Sequence, residues 1–447
     1  MIGLASFVGF CLVLAGIGWI YVTYREKKRL QRAHEFQMES TLNEATRAMS
    51  SLDYPLQLVR GDEFVAEGTL RRHELLRNQH KLTVLDSLSD VDAFVNAGKH
   101  IIFFSHQWTS FTSPDHSGKQ FEMMATSLKE LAEQNGWDAS LKDTFVWVDY
   151  SCIPQANPST QTLAVRSLAA YSSSATYFII VSPTVTHGDL DDEICNLETY
   201  QTRMWCRAEQ VCHTMRNGLD GMFVATGSGL EPVQPDFFKD SLLVFEGELT
   251  CCRLEHKGFH MCDRQALVIP LLGLYGELYR TAYEAKKEGK NSDQIESVQN
   301  YLHQIETQQE RVFPRTFMHT SWRNNKRTVE ELTLFGDLIE RMKARVESGT
   351  DYVELVDDGK GTASTASLVH GGSALVHGGS ALVHGGSTLV HGASSVVPVG
   401  IPRGDSVKPS GFIRHGSSVG AGSATSTGST GSVEMAVPMT EDKEQAP

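Results

Sequence analysis

The chain has 447 residues, of which 40% are hydrophobic and 21% charged, so it is long enough for one large folded domain or two ordinary ones. Its formal net charge of −14 excludes the basic surface that a general nucleic-acid binder needs, and we predict no nucleic-acid partner. Eight cysteines are too few for a disulfide scaffold in a chain of this length, so we expect reduced thiols.

The N-terminus begins with an apolar run without charged side chains, from Ile2 to Val22. As a helix this run spans about 30 Å, the thickness of a bilayer core. Five basic residues and one acidic residue follow between Arg25 and Arg32. The positive-inside rule therefore predicts a single-pass anchor at 2–23 in a lipid bilayer, with the N-terminus outside or lumenal and the main body cytosolic. A cleaved signal peptide is the alternative, although its basic n-region is missing.

The next two regions are a lead-in and an α/β domain. Residues 24–99 are predicted to form a juxtamembrane helix and an irregular or partly helical lead-in. Residues 100–255 alternate short apolar runs with helical patterns, which is typical of a parallel α/β sheet. The predicted strands are 100–105, 144–149, 176–182 and 222–225, with 242–245 as a candidate fifth, and the predicted helices are 120–134, 161–173 and 201–215.

Residues 256–348 are predicted to form a helical extension, with two of its helices at 292–311 and 328–346. Residues 349–447 contain an LVHGGSA repeat, and two glycines per repeat oppose a helix, so we predict a disordered low-complexity tail. The repeat places four histidines at even spacing: His370, His377, His384 and His391. Such histidines suit weak metal binding, but repeat slippage without function is the favoured interpretation.

Three segments place polar residues at or beyond the carboxyl ends of predicted strands. Ser105-His106-Gln107-Trp108 ends the first strand, and Asp149 ends the second. Trp205-Cys206-Arg207-Ala208-Glu209 lies in the helix that follows the third. Because open α/β sheets bind ligands at this edge, these residues are the candidate site.

These segments resemble the TIR (Toll/interleukin-receptor) domain family and the related HET-type (heterokaryon incompatibility) domains. TIR domains have a strand ending in Phe-x-Ser, a second ending at an acidic residue, a third ending in Ser, and a Trp-Cys-x-x-Glu helix. Phe103-Phe104-Ser105, Asp149, residues 178–182 and residues 205–209 stand in the same order here. Residues 105–108 and 147–155 look more like the HET-type branch, and the similarity covers about one third of the chain.

The resemblance implies a flavodoxin-like parallel sheet with helices on both faces. Some members of the family cleave the nicotinamide–ribose bond of NAD with the glutamate of the Trp-Cys-x-x-Glu helix, which implies Glu209 as the catalytic residue. NAD is then the substrate, and no cofactor is firmly expected. A carboxylate suits this chemistry because it stabilises oxocarbenium character or orients ribose hydroxyls. The implied nucleotide-binding residues are Ser105, His106, Trp108, Asp149 and Trp205.

Two other functions stay open. The chain lacks the Arg-Gly-type turn that is common in TIR domains after the second strand, and this departure counts against enzyme activity. Many TIR domains are adaptors that self-associate, so a non-catalytic interaction module is nearly as well supported. A nucleotide or small-ligand sensor without turnover is the third interpretation. We expect a signalling or defence protein that forms a homo-oligomer through the α/β domain.

A group of thiols and imidazoles lies outside these motifs: Cys251, Cys252, His256, His260 and Cys262. Such ligands suit zinc, but the spacing matches no standard finger and adjacent cysteines rarely both ligate one ion. The favoured interpretation therefore assigns no metal residues and leaves zinc as an alternative. A thiol–imidazole pair of Cys152 and His106 is a weaker alternative to a buried, inert cysteine.

Overall fold

The computed structural model describes residues 2–238, 241–257, 262–323 and 326–350. The chain divides into two compact units, residues 1–359 and 360–447, and the described residues all belong to the first. The predicted tail beyond Thr350, with its repeats and their histidines, lies outside the described residues. His260 lies outside them as well.

A seven-stranded, mostly parallel sheet forms the centre of a mixed α/β fold. Its strands are β1 (Leu56–Arg60), β2 (Leu82–Leu85), β3 (His100–His106), β4 (Thr144–Trp147), β5 (Tyr177–Val181), β8 (Met222–Thr226) and β9 (Gly229–Pro232). Two separate hairpins are formed by β6 (Val185–His187) with β7 (Leu190–Cys195), and by β10 (Thr316–Arg323) with β11 (Lys326–Thr333).

The spatial order of the sheet is β2-β1-β4-β3-β5-β8-β9. The central strands β4, β3, β5 and β8 are parallel, and antiparallel pairs flank them on both sides. In chain order these parallel strands are therefore arranged second, first, third, fourth. The direction of strand addition reverses between β3 and β5, which is where ligands bind in sheets of this kind.

The helices that the structure describes are, in chain order, α1 (Ile2–Ser50), α2 (Gly61–Ala66), α3 (His73–Asn78), α4 (Leu88–Asn96), α5 (Lys119–Gln134), α6 (Asp149–Cys152), α7 (Pro158–Arg166), α8 (Leu168–Ser173), α9 (Leu197–Thr202), α10 (Met204–Asn217), α11 (Pro235–Phe238), α12 (Thr250–Arg253), α13 (Asp263–Ala266), α14 (Val268–Glu288), α15 (Asp293–Thr307), α16 (Gln309–Val312) and α17 (Leu338–Ser348). The predicted helices at 120–134, 161–173 and 201–215 correspond to α5, to α7 with α8, and to α10.

The central strands are buried on both faces, as their continuous apolar sequences predict. Side chains alternate between the two faces along a strand. On one face, the Phe103 ring stacks on Trp147 at 4.0 Å and on Phe178 at 5.1 Å, beneath α8 and α10. On the other face, Phe104 packs against Phe64 of α2, which also contacts α5.

The N-terminal helix requires a correction. Among the residues that the structure describes, no helix is both long enough and apolar enough to cross a membrane. The predicted single-pass anchor at 2–23, with the N-terminus outside or lumenal and the main body cytosolic, is therefore wrong. The helix α1 continues to Ser50, and its later part is buried against the fold.

Three predicted elements differ from the observed ones. The lead-in contributes β1 and β2 to the sheet, so the sheet begins well before residue 100. The candidate strand at 242–245 is a 3₁₀ turn at Val244–Glu246. The predicted helix at 328–346 is strand β11 followed by α17. In the lead-in, the conformation depends on a pairing partner distant in sequence, β4 for β1, and local patterns do not report that partner.

The helices α1 and α14 approach each other closely at Gly273. A Cβ atom at this position would lie 2.4 Å from the Ala45 carbonyl oxygen. We expect Gly273→Ala to lower the free energy of unfolding by about 1–3 kcal/mol, measured by urea titration, because one helix backbone must shift. Gly18→Ala is the control, since an added Cβ there meets nothing within 4 Å. It should be neutral or stabilising by up to about 1 kcal/mol, and equal losses in both variants would contradict the close approach.

Candidate functional site

The candidate residues lie at the carboxyl edge of the central sheet. Ser105 and His106 end β3, and Asp149 begins the short helix after β4. His106 is paired in register with Val181, so Ser182 follows on the neighbouring strand at the same edge. The structure therefore places the ends of β3, β4 and β5 together, at the point where strand addition reverses.

Glu209 of α10 reaches this edge and bonds to the end of β3. The Ser105 hydroxyl donates a hydrogen bond to Glu209 Oε2 over 2.5 Å, and the Tyr200 hydroxyl lies 2.7 Å from Ser105 Oγ. Ser105 and Tyr200 are fully buried, and Glu209 is 9% exposed. The Ser172 hydroxyl also donates to the Glu209 carbonyl oxygen, which holds α10 against α8. The Glu209 carboxyl group is thus nearly enclosed.

Enclosure changes the protonation of Glu209. Burial raises the pKa of this carboxyl group to about 8, and the negative charge of Asp149 acts in the same direction. The hydrogen bond from Ser105 and the charge of His106 oppose the rise without cancelling it. Glu209 is therefore mostly a neutral acid at pH 7.

His106 lies between an amide and a carboxylate. Its Nε2 is 3.0 Å from Asp149 Oδ1, and its Nδ1 is 3.0 Å from Gln120 Oε1. The Gln120 amide nitrogen donates to the Gln107 carbonyl oxygen, so Oε1 is the Gln120 atom that faces the ring as an acceptor. Both ring nitrogens therefore face acceptors, which favours the doubly protonated imidazolium. Burial alone would lower the pKa of His106, but the adjacent Asp149 carboxylate outweighs burial and raises it.

Asp149 remains ionised. Its Oδ2 accepts a hydrogen bond from the Trp108 indole over 2.7 Å, and its Oδ1 accepts one from the Tyr150 backbone amide over 2.6 Å. Burial would raise the pKa of Asp149, but the charge of His106 and these hydrogen bonds lower it below the usual value. The Asp149 side chain is 30% exposed and Glu209 is 9% exposed, so Asp149 is the more accessible of the two carboxyl groups.

Trp205 is directed to another part of the chain. Its indole nitrogen donates to Asp263 Oδ2 over 3.1 Å, which ties α10 to α13. The described hydrogen bonds thus join Ser105 to Glu209, and His106 and Trp108 to Asp149, whereas Trp205 bonds outside both groups. The alternative pair of His106 and Cys152 is not formed among the described contacts, because both His106 nitrogens have other partners and the Cys152 thiol lies against the Val146 carbonyl oxygen.

Two residues of this hydrogen-bond network were not among the predicted site residues. Tyr200 supplies the second hydroxyl at Ser105, and Gln120 fixes the orientation of His106. A glutamine in the first turn of a helix normally indicates an exposed position, but Gln120 is only 1% exposed. Ser182 adds a buried hydroxyl that has no hydrogen-bond partner within the part of the chain that the structure describes.

A second group of potential ligands lies outside this edge. It consists of Cys251, Cys252, His256 and Cys262, whose ligand atoms all lie within 4.8 Å of one another.

No family model matches the chain, and no curated protein and no solved structure matches it either. The similarity to TIR and HET-type domains therefore rests on the motifs quoted above and stays a prediction.

Proposed function

We propose that this chain is a TIR/HET-like signalling or defence protein whose sheet edge binds NAD and cleaves its nicotinamide–ribose bond. The observation that supports this proposal best is a pair of carboxyl groups, Asp149 and Glu209, held in opposite protonation states at one edge. Carboxyl pairs with divergent pKa values are typical of acid–base sites. The arrangement of the parallel strands also favours the flavodoxin-like, TIR-type sheet.

Asp149 is the group that stabilises the developing charge in this proposal. When the C1′–N bond breaks, its electron pair neutralises the nicotinamide ring nitrogen, so the leaving group needs no proton. Positive charge develops on the ribose, and an ionised, partly exposed carboxylate is suited to stabilise it. Water then bonds to C1′, and Asp149 accepts the proton that this water loses.

For Glu209 the resemblance leaves two roles, stabilisation of positive charge and orientation of a ribose hydroxyl, and the neutral form of the carboxyl group favours the second. A neutral carboxyl group does not stabilise positive charge as a carboxylate does, but it donates and accepts hydrogen bonds. We assign Glu209 to the orientation of a ribose hydroxyl, together with Ser105. The His106 ring, held by Gln120, keeps Asp149 ionised and in position.

The enclosure of Glu209 favours a second candidate, a nucleotide sensor that binds without turnover. Ser105 is fully buried and Glu209 is 9% exposed, so a substrate reaches these groups only if the edge opens. Asp149, Trp108 and Tyr150 are partly exposed and offer a charge and two aromatic rings without any opening. Self-association through the α/β domain, shared with the adaptor interpretation, is part of both proposals.

The test is nicotinamide release by the full-length chain incubated with NAD and followed by chromatography. We expect Asp149→Asn to reduce the release rate by about 100-fold or more, because the stabilising charge is lost. Glu209→Gln, which keeps a neutral hydrogen-bonding group, should retain more activity than Asp149→Asn. The matched controls Asp92→Asn and Glu122→Gln alter exposed carboxylates on other helices and should leave the rate unchanged.

Three results distinguish the alternatives. Release that survives Asp149→Asn would contradict the catalytic assignment. Binding of NAD by calorimetry without release, at concentrations where light scattering reports an oligomer, would favour the sensor. An oligomer that neither binds nor cleaves NAD would favour the adaptor interpretation.

A further inference from the structure

Three thiols and one imidazole converge beside the β10–β11 hairpin, and we call them the thiol–imidazole cluster: Cys251, Cys252, His256 and Cys262. The first two lie on α12, the imidazole lies in the turn after it, and the last cysteine precedes α13. Cys251 and Cys262 are fully buried, and His256 is 7% exposed. All three cysteines are free thiols.

Two ligand–ligand distances in the cluster match those of a tetrahedral zinc site. Cys252 Sγ lies 3.6 Å from His256 Nε2 and 3.6 Å from Cys262 Sγ. Zinc holds sulfur at about 2.3 Å and nitrogen at about 2.0 Å, so neighbouring ligand atoms in a tetrahedron are about 3.5–3.8 Å apart. Both measured distances agree with this separation before any adjustment of the side chains.

The imidazole is oriented as a metal ligand. His256 Nδ1 lies 2.5 Å from the carbonyl oxygen of Thr320 in β10, so Nδ1–H is the donor of this hydrogen bond. The proton on Nδ1 leaves the lone pair of Nε2 free, and Nε2 is the atom that faces the sulfurs. A backbone carbonyl that fixes the tautomer in this way is a recurring feature around zinc-bound histidines.

The backbone at the cluster is also unusual. Glu255 and His256 both have left-handed backbone conformations, with φ angles of 49° and 56°. Non-glycine residues adopt this region at a cost, and such strain concentrates at ligand sites. The strained turn carries His256 back over α12, since its amide bonds to the Cys251 carbonyl oxygen over 2.8 Å.

We propose that the thiol–imidazole cluster binds one zinc ion, which fastens the β10–β11 hairpin to the α/β body. Three thiolates and a neutral imidazole form the ligand set, and the thiol protons pass to solvent on binding. Adjacent contacts point to the same fastening role, because Glu255 accepts hydrogen bonds from Trp322 and Arg327 of the hairpin. The objection that adjacent cysteines seldom share an ion is met by the observed geometry, because the Cys251 and Cys252 thiols both lie within 4.8 Å of each other and of the other two ligand atoms.

The first measurement is the zinc content of the full-length chain, purified under reducing conditions and analysed by mass spectrometry of the metals. We expect about one zinc ion per chain in the wild type and less than about a tenth of that in Cys252→Ser and Cys262→Ser. The matched control is Cys195→Ser, which alters another buried free cysteine on β7 and should keep its zinc. Wild-type protein without zinc that also fails to take up added Zn²⁺ would overturn the proposal.

A second measurement avoids dependence on variants that fail to fold. Replacement of the metal by Co²⁺ in the wild type should give the strong thiolate-to-cobalt absorption of a tetrahedral site. Chelation should raise amide hydrogen exchange in β10 and leave exchange in β3 unchanged. A disulfide between Cys252 and Cys262 in the reduced preparation, or a cobalt spectrum without thiolate bands, would contradict the zinc assignment.

Discussion

The contribution of Glu209 to the free energy of unfolding should fall as the pH rises from about 4.5 to about 8, because the folded protein holds this carboxyl group in a site that favours its neutral form. The group ionises near 4.5 when the chain is unfolded and near 8 when it is folded. Below pH 4.5 the Glu209 carboxyl group is neutral in both the folded and the unfolded state, so its ionisation does not affect stability. Between the two values only the unfolded state gains the charge, so stability is lost as the pH rises. One pKa unit corresponds to about 1.4 kcal/mol, so the whole loss between pH 4.5 and pH 8 is on the order of 5 kcal/mol.

Glu209→Gln isolates this effect, since the amide keeps the shape of the side chain and has no proton to lose. Urea unfolding at a series of pH values should find the variant within about 1 kcal/mol of the wild type at pH 4.5. It should be progressively more stable than the wild type toward pH 8. The exposed Glu122→Gln serves as the matched control and should track the wild type throughout. Parallel curves for wild type and Glu209→Gln would show that Glu209 ionises normally in the folded protein.

The difference between variant and wild type is the quantity to follow because two neighbours also titrate. The raised pKa of His106 means that its contribution to stability is lost as the pH rises above about 6.5. The pKa of Asp149 is lowered, so the contribution of Asp149 to stability is lost as the pH falls below about 3.8. Both contributions are present in wild type and variant alike, so they largely cancel in the difference.

Trp147→Ala should produce the largest loss of stability of any single change considered. The side chain is 1% exposed, and its ring stacks on Phe103 at 4.0 Å and lies 6.1 Å from the Tyr171 ring. Truncation of a buried tryptophan removes its contacts and leaves a cavity, which costs about 3–5 kcal/mol. Urea unfolding followed by circular dichroism measures the loss without relying on tryptophan fluorescence.

The same substitution at an exposed tryptophan is the control, because it shows how much of the loss comes from burial of the side chain. Trp19 is 70% exposed on α1, so Trp19→Ala should change the free energy of unfolding by less than about 0.5 kcal/mol. Similar losses in the two variants would contradict the placement of Trp147 in the core. The indole nitrogen of Trp147 is buried without a hydrogen-bond partner among the described residues, and its removal offsets a small part of the cost.

A hydrogen bond between Trp205 and Asp263 connects the candidate edge with the thiol–imidazole cluster. Cys262 is followed by Asp263, whose carboxylate accepts the hydrogen bond from the Trp205 indole. Trp205 lies one helical turn before Glu209 on α10. A metal held by Cys262 would therefore also steady the start of the helix that carries Glu209.

The composition of the apolar run at residues 2–22 led to a wrong prediction of a membrane anchor. An uncharged stretch of suitable length predicts a membrane anchor, yet no described helix meets the combined demand of length and apolarity. The helix continues past the basic residues, and Met38, Leu42 and Ala45 are buried in the same core as the sheet. Where a helix ends and what it packs against depend on tertiary contacts that a local window does not contain.

By itself, the sequence determined the central strands and the edge at which the polar residues would meet. Continuous apolar runs are stable only when both faces are covered, and parallel strands place their carboxyl ends together, so Ser105, His106 and Asp149 follow from local pattern alone. The tertiary structure alone decided the added strands β1 and β2, the enclosure that keeps Glu209 protonated, and the convergence of the thiol–imidazole cluster. Strand partners, pKa values and ligand geometry depend on distances between atoms in the folded chain, and composition and periodicity do not encode those distances.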